Sequence, residues 1–557
     1  MIKKLLFSRY FFPVTFALFV SITVSAQEFE WAQKAGYYAF DYGYGVCADG
    51  AGNVYVAGKY EMNASFGDST VTCEGNHDIF TAKYSTSGDL QWVKTAGGEW
   101  GDYAHAITCD AAGNLYVTGE IEMTATFGGT NASLSSWGSN DMFLAKYDSQ
   151  GNLIWAKRGG GSESDQGLAV AIFGDAVYVA GKFKDTAYFE SGKVISIGND
   201  DIYIAKYDIN GNFIWVKRAG GSEEDEALGI TVDAMGFVYV TGYFHGHAEF
   251  GGKITTSYGD KDMFIAKYDP TGELIWIKQG GGKYNDRGSA VKAGKDGNIY
   301  LTGAFRQQSR WDNIYLTALL GDTDIFTACY TSDGNAVWVK KAGGDINDRG
   351  MGIDIDASSN VYVTGYFGFT SMFEQQKVTA PDSADIFVAK YDKNGTFLWV
   401  MQGTGKKDHT FESGTEEGGR ALWVDNAGNV LIAGSYRSDA VFGSTTLQGW
   451  MHSDIFIAKI KSTHQITDVE FHENLEKGLI IYPNPSNGNF QLTFSEKEAS
   501  NLNIQIQTLQ GQSVFEKSFN NNGQFNETID LANYASGIYL LKVFTGEEIF
   551  VKKLIKN

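Results

Sequence analysis

Cysteine is nearly absent from this 557-residue chain, and four copies cannot staple a domain of this size, which excludes a disulfide scaffold. Positive charge is also short, with 45 Lys and Arg against 66 Asp and Glu, a formal charge of −21. Such a surface repels phosphate backbones and anionic lipid, so nucleic acid and membrane surfaces are disfavoured as partners, while cations and basic ligands stay open. No apolar run after residue 26 approaches the ~18 residues of a membrane-spanning helix. Familiar catalytic signatures are missing too: there is no H-E-x-x-H, no phosphate-binding loop, no G-x-S-x-G elbow and no D-x-[DN]-x-[DN]-G calcium loop. Proline, at 5 copies, leaves most turns to glycine, at 68.

What is present suits pleated, half-buried strands: aromatics reach 14%. Residues 1–26 are expected to be a signal peptide. Lys3 and Lys4 supply its positive end, an apolar run extends from about Tyr10 to Val24, and Val24-Ser25-Ala26 offers small residues at a cleavage site.

Self-similarity then dominates. A hairpin segment reads GNVYVAG at 52–58 and returns at 113–119, 175–181, 236–242, 297–303, 359–365 and 428–434. A second segment, DIFTAKY from Asp78, recurs from Asp141, Asp201, Asp262, Asp324, Asp385 and Asp454, at steps of 60 to 69 residues. A third carries Trp92, Trp155, Trp215, Trp276, Trp338 and Trp399, six copies for seven units. The seventh, Trp31, stands alone ahead of the first unit. Alternation of apolar and polar residues over four to eight positions predicts strands throughout. In the fourth unit these are Ala227–Asp233, Phe237–Phe244, Asp262–Tyr268 and Leu274–Lys278. Seven four-stranded units at a fixed period predict an all-β fold, a seven-bladed β-propeller over 27–461 closed by an N-terminal strand. A solenoid would want polar caps at its ends instead of a displaced Trp strand. Inner strands of adjacent blades lie beyond the ~7 Å that a disulfide allows, so Cys47 and Cys109 are expected to be free, buried thiols.

These units resemble the bacterial SBBP-type β-propeller repeat, with its D-x-x-GN-x-YV-x-G hairpin followed by D-[IM]-F-x-A-K-Y and G-x-x-x-W strands. The resemblance implies a fold, usually on exported proteins, and no reaction. After Lys461 the period stops. Residues 462–478 read as a polar linker, and 479–557 as a small β-sandwich. This last segment resembles the type A C-terminal sorting domain of the type IX secretion system. The matching residues are Tyr482-Pro483-Asn484-Pro485 with Asn487-Gly488, Gln510-Gly511-Gln512, Leu531 with Gly537-Ile538-Tyr539, and Lys552-Lys553-Leu554. It implies recognition by the outer-membrane translocon, removal by the sorting peptidase, and delivery to the outer surface or medium of a Gram-negative bacterium.

Candidate sites follow from the repeats, since a residue in every unit is structural and a site breaks the symmetry. One acid recurs ahead of each hairpin: Asp41, Asp102, Asp165, Asp225, Asp286, Asp348 and Glu417. These could ring one mouth of a central channel and take calcium or cationic ligands, or could simply accept backbone N–H bonds within loops. The DIF-type Asp residues are expected at strand-entry turns. His245-Gly246-His247 is the one close His pair and lacks an evident third ligand. The entry loop of the seventh unit is longer than its equivalents and holds His409, Glu412 and Glu416, weak candidates for acid–base work. Arg306, Arg310 and Trp311 form a basic, aromatic stretch suited to contacting a partner, and Arg287 and Arg349 are expected to pair with the acids beside them. The expected function is a monomeric, non-catalytic surface module binding an extracellular glycan or protein, with no cofactor required. The alternative is a polysaccharide hydrolase or lyase working at the channel mouth.

Overall fold

The structure is a computed structural model. It describes residues 27–128, 132–318, 323–344, 346–381, 384–405, 418–449, 452–462, 480–484, 486–495, 501–508, 513–520, 524–534, 537–544 and 549–556. The expected signal peptide lies outside them. Among the described residues every regular element is a strand, and no helix is long and apolar enough to cross a membrane. The chain divides into two compact units, Met1–Ser462 and Thr463–Asn557.

The larger one is all-β and follows the repeat. In unit 1 the strands Tyr42–Ala48, Val54–Tyr60, Asp78–Tyr84 and Leu90–Gly97 pair antiparallel in that order. The first strands of the later units are Tyr103–Cys109, Gln166–Phe173, Glu226–Val232, Arg287–Ala293, Arg349–Ile355 and Gly418–Val424. In unit 7 the fourth position is filled by Phe29–Gly36, which pairs with Asp454–Ile460 from Phe29↔Ile460 to Ala35↔Ile455. First strands of consecutive units lie side by side, and Gly418–Val424 lies beside Tyr42–Ala48.

Each unit also carries a hairpin that the alternation pattern does not announce. Between second and third strands the chain makes Asn63–Phe66 and Ser69–Thr72 in unit 1, and equivalents elsewhere. In units 2 and 4 it merges into long strands, Leu115–Phe127 with Ser133–Tyr147 and Val238–Phe250 with Lys253–Tyr268. The second strand of unit 4 therefore runs six residues past the Phe244 expected from the sequence. Each hairpin pairs back onto the preceding fourth strand, Ala35↔Phe66 and Gly280↔Trp311 being two cases. Its closing aromatic is fully buried in every unit: Phe66, Phe127, Phe189, Phe250, Trp311, Phe373 and Phe442. Each packs on the aromatic of the DIF-type strand, at centroid distances such as 4.9 Å for Phe66 and Phe80 and 5.2 Å for Trp311 and Phe326.

Apolar cores form between units. Val46, Val54 and Phe80 of unit 1 share a cluster with Leu431, Ile455 and Ile457 of unit 7 and with Trp31. Units 1 and 2 meet around Tyr55 and Leu115, and units 6 and 7 around Tyr362 and Leu422. The fourth-strand Trp is a lateral fastener. Its indole N–H donates to the carbonyl of a turn in the next unit: Trp31 to Thr86 at 3.1 Å, Trp155 to Ile209 at 3.2 Å and Trp338 to Lys393 at 3.1 Å. Gly88 in that turn has φ 87°, and a Cβ there would stand 2.8 Å from the Trp31 ring. Glycine is demanded twice over. All four cysteines are free, Cys47, Cys109 and Cys329 being buried.

In the second unit, a three-stranded sheet (Ile480–Tyr482, Asn489–Ser495, Gln524–Asp530) and a four-stranded sheet (Ser513–Asn520, Asn501–Thr508, Gly537–Phe544, Ile549–Lys556) share one core. Phe490, Leu492, Ile504, Ile529 and Leu541 meet there.

Candidate functional site

The six described recurring acids do not face a channel. Asp41, Asp102, Asp165, Asp225, Asp286 and Asp348 have no exposed surface. Their oxygens brace backbone: Asp286 accepts from Gly282 N at 2.8 Å and Arg306 N at 2.9 Å, and Asp348 from Gly344 N at 2.8 Å and Gly368 N at 2.9 Å. Ser309 and Ser371 add hydroxyl bonds of 2.8 and 2.7 Å. Each acid thus ties the end of one unit to its own first strand and to the start of its own hairpin. Of the two alternatives, the described acids follow the backbone-accepting one and not the cation-facing ring, the pull of paired N–H donors having turned these carboxylates inward. Burial raises them to about 7 for Asp41, Asp102, Asp225, Asp286 and Asp348 and about 8 for Asp165, where the neighbouring Asp141 adds to the effect. The DIF-type acids are buried beside them. A Cβ on Gly160 would lie 2.5 Å from Asp141 Oδ1 and 2.8 Å from Asp165 Oδ2, so the glycine between the pair is obligatory. Glu417, His409, Glu412 and Glu416 lie outside the described residues.

Trp311 is buried core, the counterpart of Phe66 and Phe250, and is corrected as a contact residue. Arg310 remains exposed over the Tyr258 ring at 4.3 Å, and Arg306 is exposed near Tyr284 at 5.5 Å. His245 and His247 do not converge on a shared ligand: the His247 ring bonds Thr256 Oγ1 at 2.7 Å, while the His245 backbone N–H serves Asp225. Among the described residues no three His, Cys, Asp or Glu side chains are placed to hold a metal.

The first strands carry the site. In every unit the pairing of first and second strands slips at one residue: between Gly43 and Gly45, Ala104 and Ala106, Gly167 and Ala169, Ala227 and Gly229, Gly288 and Ala290, Gly350 and Gly352, and Gly419 and Ala421. A bulge re-aims the side chain it carries. The seven bulged residues are Tyr44, His105, Leu168, Leu228, Ser289, Met351 and Arg420, and all line one cavity of about 600 Å³. Small residues on either side let the strands crowd together. A Cβ on Gly45 would meet Ile107 Cγ2 at 2.8 Å.

Val46, Ile107, Val170, Ile230, Val291, Ile353 and Leu422 follow them along the cavity as an apolar waist. Beyond it, Lys292 pairs with Asp354 at 2.8 Å and lies 4.9 Å from the Trp423 ring. Directly after the bracing acids, two residues before each bulge, stand Tyr42, Tyr103, Gln166, Glu226, Arg287, Arg349 and Gly418, of which Arg349 lines the same cavity.

Two halves of this set differ in chemistry. Units 1 to 3 give a stacked aromatic group, Tyr42 on Tyr44 at 5.8 Å and Tyr103 on His105 at 5.8 Å. Behind it, buried Glu120 accepts from His105 Nε2 at 3.3 Å, Asn140 Nδ2 at 2.9 Å and Gln166 Nε2 at 2.7 Å. Burial alone raises that carboxyl, yet these bonds outweigh it and hold Glu120 below the usual range. Lys182 bridges to Glu226 at 2.8 Å and Asp200 at 3.2 Å. Units 5 to 7 give Arg287, Arg349 and Arg420. The first two do not pair with Asp286 and Asp348 as expected, because those acids are engaged by backbone. Burial, and then the charges of Arg287 and Arg420, bring Arg349 down to about 10.

The position after each bracing acid, and the bulge two further on, carried a signal that sequence reasoning missed. Asp41-Tyr-Gly-Tyr-Gly, Asp102-Tyr-Ala-His-Ala and Asp286-Arg-Gly-Ser-Ala keep small residues fixed and vary the large ones between them.

Comparison with known proteins assigns the C-terminal unit. Residues 480–557 match the family described as secretion system C-terminal sorting domain. That domain marks proteins secreted through the type IX system, so the chain is directed to the cell surface or extracellular space. Over 519 residues the chain is 22% identical to the uncharacterized WD repeat-containing protein L264 of Acanthamoeba polyphaga mimivirus, covering 73% of this chain. Over 360 residues it is 26% identical to regulatory protein FlaEY of Caulobacter vibrioides, covering 58% of this chain. In both cases the match spans 36% of the relative's length. Among solved structures, a glycoside hydrolase family 32 protein from Bifidobacterium adolescentis aligns at 9% identity, covering 95% of this chain and 94% of that one, with a TM-score of 0.23. Dimeric latent PorU from Porphyromonas gingivalis aligns at 10% identity over 65% of this chain and 32% of that one, with a TM-score of 0.13. Scores this low identify no shared fold.

Proposed function

We propose that residues 27–461 are a seven-bladed β-propeller of SBBP-type repeats, and that it binds an extracellular glycan or protein ligand in the central cavity. Closure is supported by the Phe29–Gly36 strand on Asp454–Ile460 and by the apolar cluster shared between units 7 and 1. A signal peptide over 1–26, a linker over 462–478 and a sandwich-like sorting module over 479–557 complete the scheme, the module being removed by the sorting peptidase. The mature body acts as a monomer.

The observation that carries the binding reading is the break in symmetry at the mouth. Bracing acids, turn glycines and lateral tryptophans repeat from unit to unit, whereas the seven bulged residues comprise six residue types. A frame that repeats while its presented side chains differ is a scaffold for one asymmetric ligand. Glycan-array and pull-down binding by the mature exported protein, with and without calcium, tests this. A ligand whose capture falls on Tyr44→Ala at unchanged melting temperature is expected. Capture indifferent to every mouth substitution would overturn it.

One observation favours a second, enzymatic reading: His105 and Glu120, 3.3 Å apart and beside Tyr44, could move a proton at a bound sugar. Turnover of a polysaccharide abolished by His105→Ala, with binding retained, would establish it. The same assay on His409→Ala tests the loop candidates.

A further inference from the structure

Arg349 and Arg420, which line the cavity, and Arg287, whose charge bears on Arg349, meet no carboxylate within 4.0 Å among the described residues. The contacts they do make are weak. Arg349 Nε donates to Ser289 Oγ at 3.3 Å and Arg420 Nε to Ser435 Oγ at 3.5 Å. Arg420 lies 5.1 Å from the Tyr42 ring and 5.2 Å from that of Tyr44, and Arg287 lies 5.3 Å from Tyr243. Other charges near the first strands are satisfied: Lys182 by two acids, Lys59 by Glu61 at 3.4 Å, Glu120 by three donors.

Scarcity of acids does not explain the contrast, because the chain carries 66 of them. A half-buried cation has given up hydration that a counter-charge restores. Burial lowers Arg349 most, and the like charges of Arg287 and Arg420 add to it. Such an arrangement is stable at low cost when an anion sits among the three, and the planar guanidinium fork matches carboxylate and sulfate two bonds at a time.

We propose that Arg287, Arg349 and Arg420 form an anion subsite of the cavity that takes the carboxylate or sulfate of an acidic sugar, whose ring packs against Tyr44 and His105. The assignment rests on the binding reading above and narrows it to a ligand class. The cavity, at about 600 Å³, is in the range of small-ligand sites and accommodates one or two sugar rings. Tyr44 and His105 supply flat faces for the C–H side of such a ring, while Ser289 brings a hydroxyl to its polar edge. Export to the cell exterior gives the site access to extracellular ligands. An acidic peptide fits less well, since the apolar waist offers its backbone amides no partners.

Calorimetric titration of the mature exported protein tests the assignment, with an oligogalacturonate, a sulfated galactan oligosaccharide, the neutral galactan oligosaccharide and oligoglutamate as probes. One of the two anionic sugars is expected to bind, which identifies the charge carrier. Its Kd should rise at least tenfold on Arg349→Met and on Arg420→Gln, and only partly recover in Arg349→Lys, because a point charge cannot replace the fork. It should also weaken with added salt. Melting temperatures of the variants establish that they are folded, and Arg420→Gln serves should Arg349→Met misfold. Equal affinity for the neutral chain, unchanged affinity in both folded variants, or preference for oligoglutamate would overturn the anionic-sugar assignment. A neutral ligand lost on Tyr44→Ala but kept on Arg349→Met would do so while leaving the binding reading intact.

Discussion

Replacing Trp31 with alanine strikes the one fastener whose strand is far in sequence from the unit it completes. The side chain is 8% exposed, packs with Val46, Phe80 and Ile457, and donates its indole N–H to Thr86 O at 3.1 Å. Truncating a buried Trp costs about 3–5 kcal/mol, of which the hydrogen bond accounts for about 1 kcal/mol. If the units close into a ring, this loss falls on the whole body, because the strand that carries Trp31 completes unit 7 and packs against unit 1. Chemical denaturation followed by far-UV circular dichroism should show Trp31→Ala lowering the midpoint as much as Trp155→Ala, its counterpart in unit 2. Trp31→Phe should recover most of the packing and lose about 1 kcal/mol. A Trp31→Ala midpoint equal to that of the native protein, with Trp155→Ala strongly shifted, would mean that the seam carries no load and would refute the closed arrangement.

Asp348→Ala should cost about 3 kcal/mol, because it strands Gly344 N and Gly368 N without an acceptor in a dry setting and leaves Ser371 Oγ only the longer bond to Gly368 O. Ligand affinity of the folded fraction should not change; lost binding at native stability would return these acids to a ligand role. Stability should also rise as pH falls from 8.5 to 5. The carboxyls raised to about 7 or 8 keep their protons in the folded protein, whereas the same groups in the unfolded chain ionise near pH 4. Ionisation therefore favours unfolding, and the contribution present below the unfolded value is lost as pH rises from about 4 to 7 or 8, at up to about 1.4 kcal/mol per unit per group. Denaturation midpoints at pH 5, 7 and 8.5 measure this, and a higher midpoint at 8.5 contradicts it.

The strand order was legible because every unit repeats its punctuation, and the displaced Trp31 foretold the pairing of Phe29–Gly36 with Asp454–Ile460. The added hairpins were not, although each announces itself in an aromatic, as in Ala64-Ser65-Phe66-Gly67 or Ser309-Arg310-Trp311-Asp312. Such short strands hold too few alternating positions for a period to emerge. The bracing acids were located correctly but not oriented, since a carboxylate aimed at backbone N–H and one aimed at water look alike in sequence. Trp311 misled for a related reason: beside two arginines it resembles a contact patch, yet it occupies the slot of Phe250. The mouth was hidden because its residues change from unit to unit, while a search for repetition rewards what stays the same.

The bulge in each first strand has an evolutionary corollary. It separates the parts of a unit that must be kept from the one that is free to change. The bracing Asp and its flanking small residues hold the strand, and the residue between them faces the cavity. Seven such positions, one per unit, amount to a keyboard set around a fixed case. On the binding reading, single substitutions at 44, 105, 168, 228, 289, 351 and 420 would retune what the cavity accepts while the repeated frame around it stays as it is.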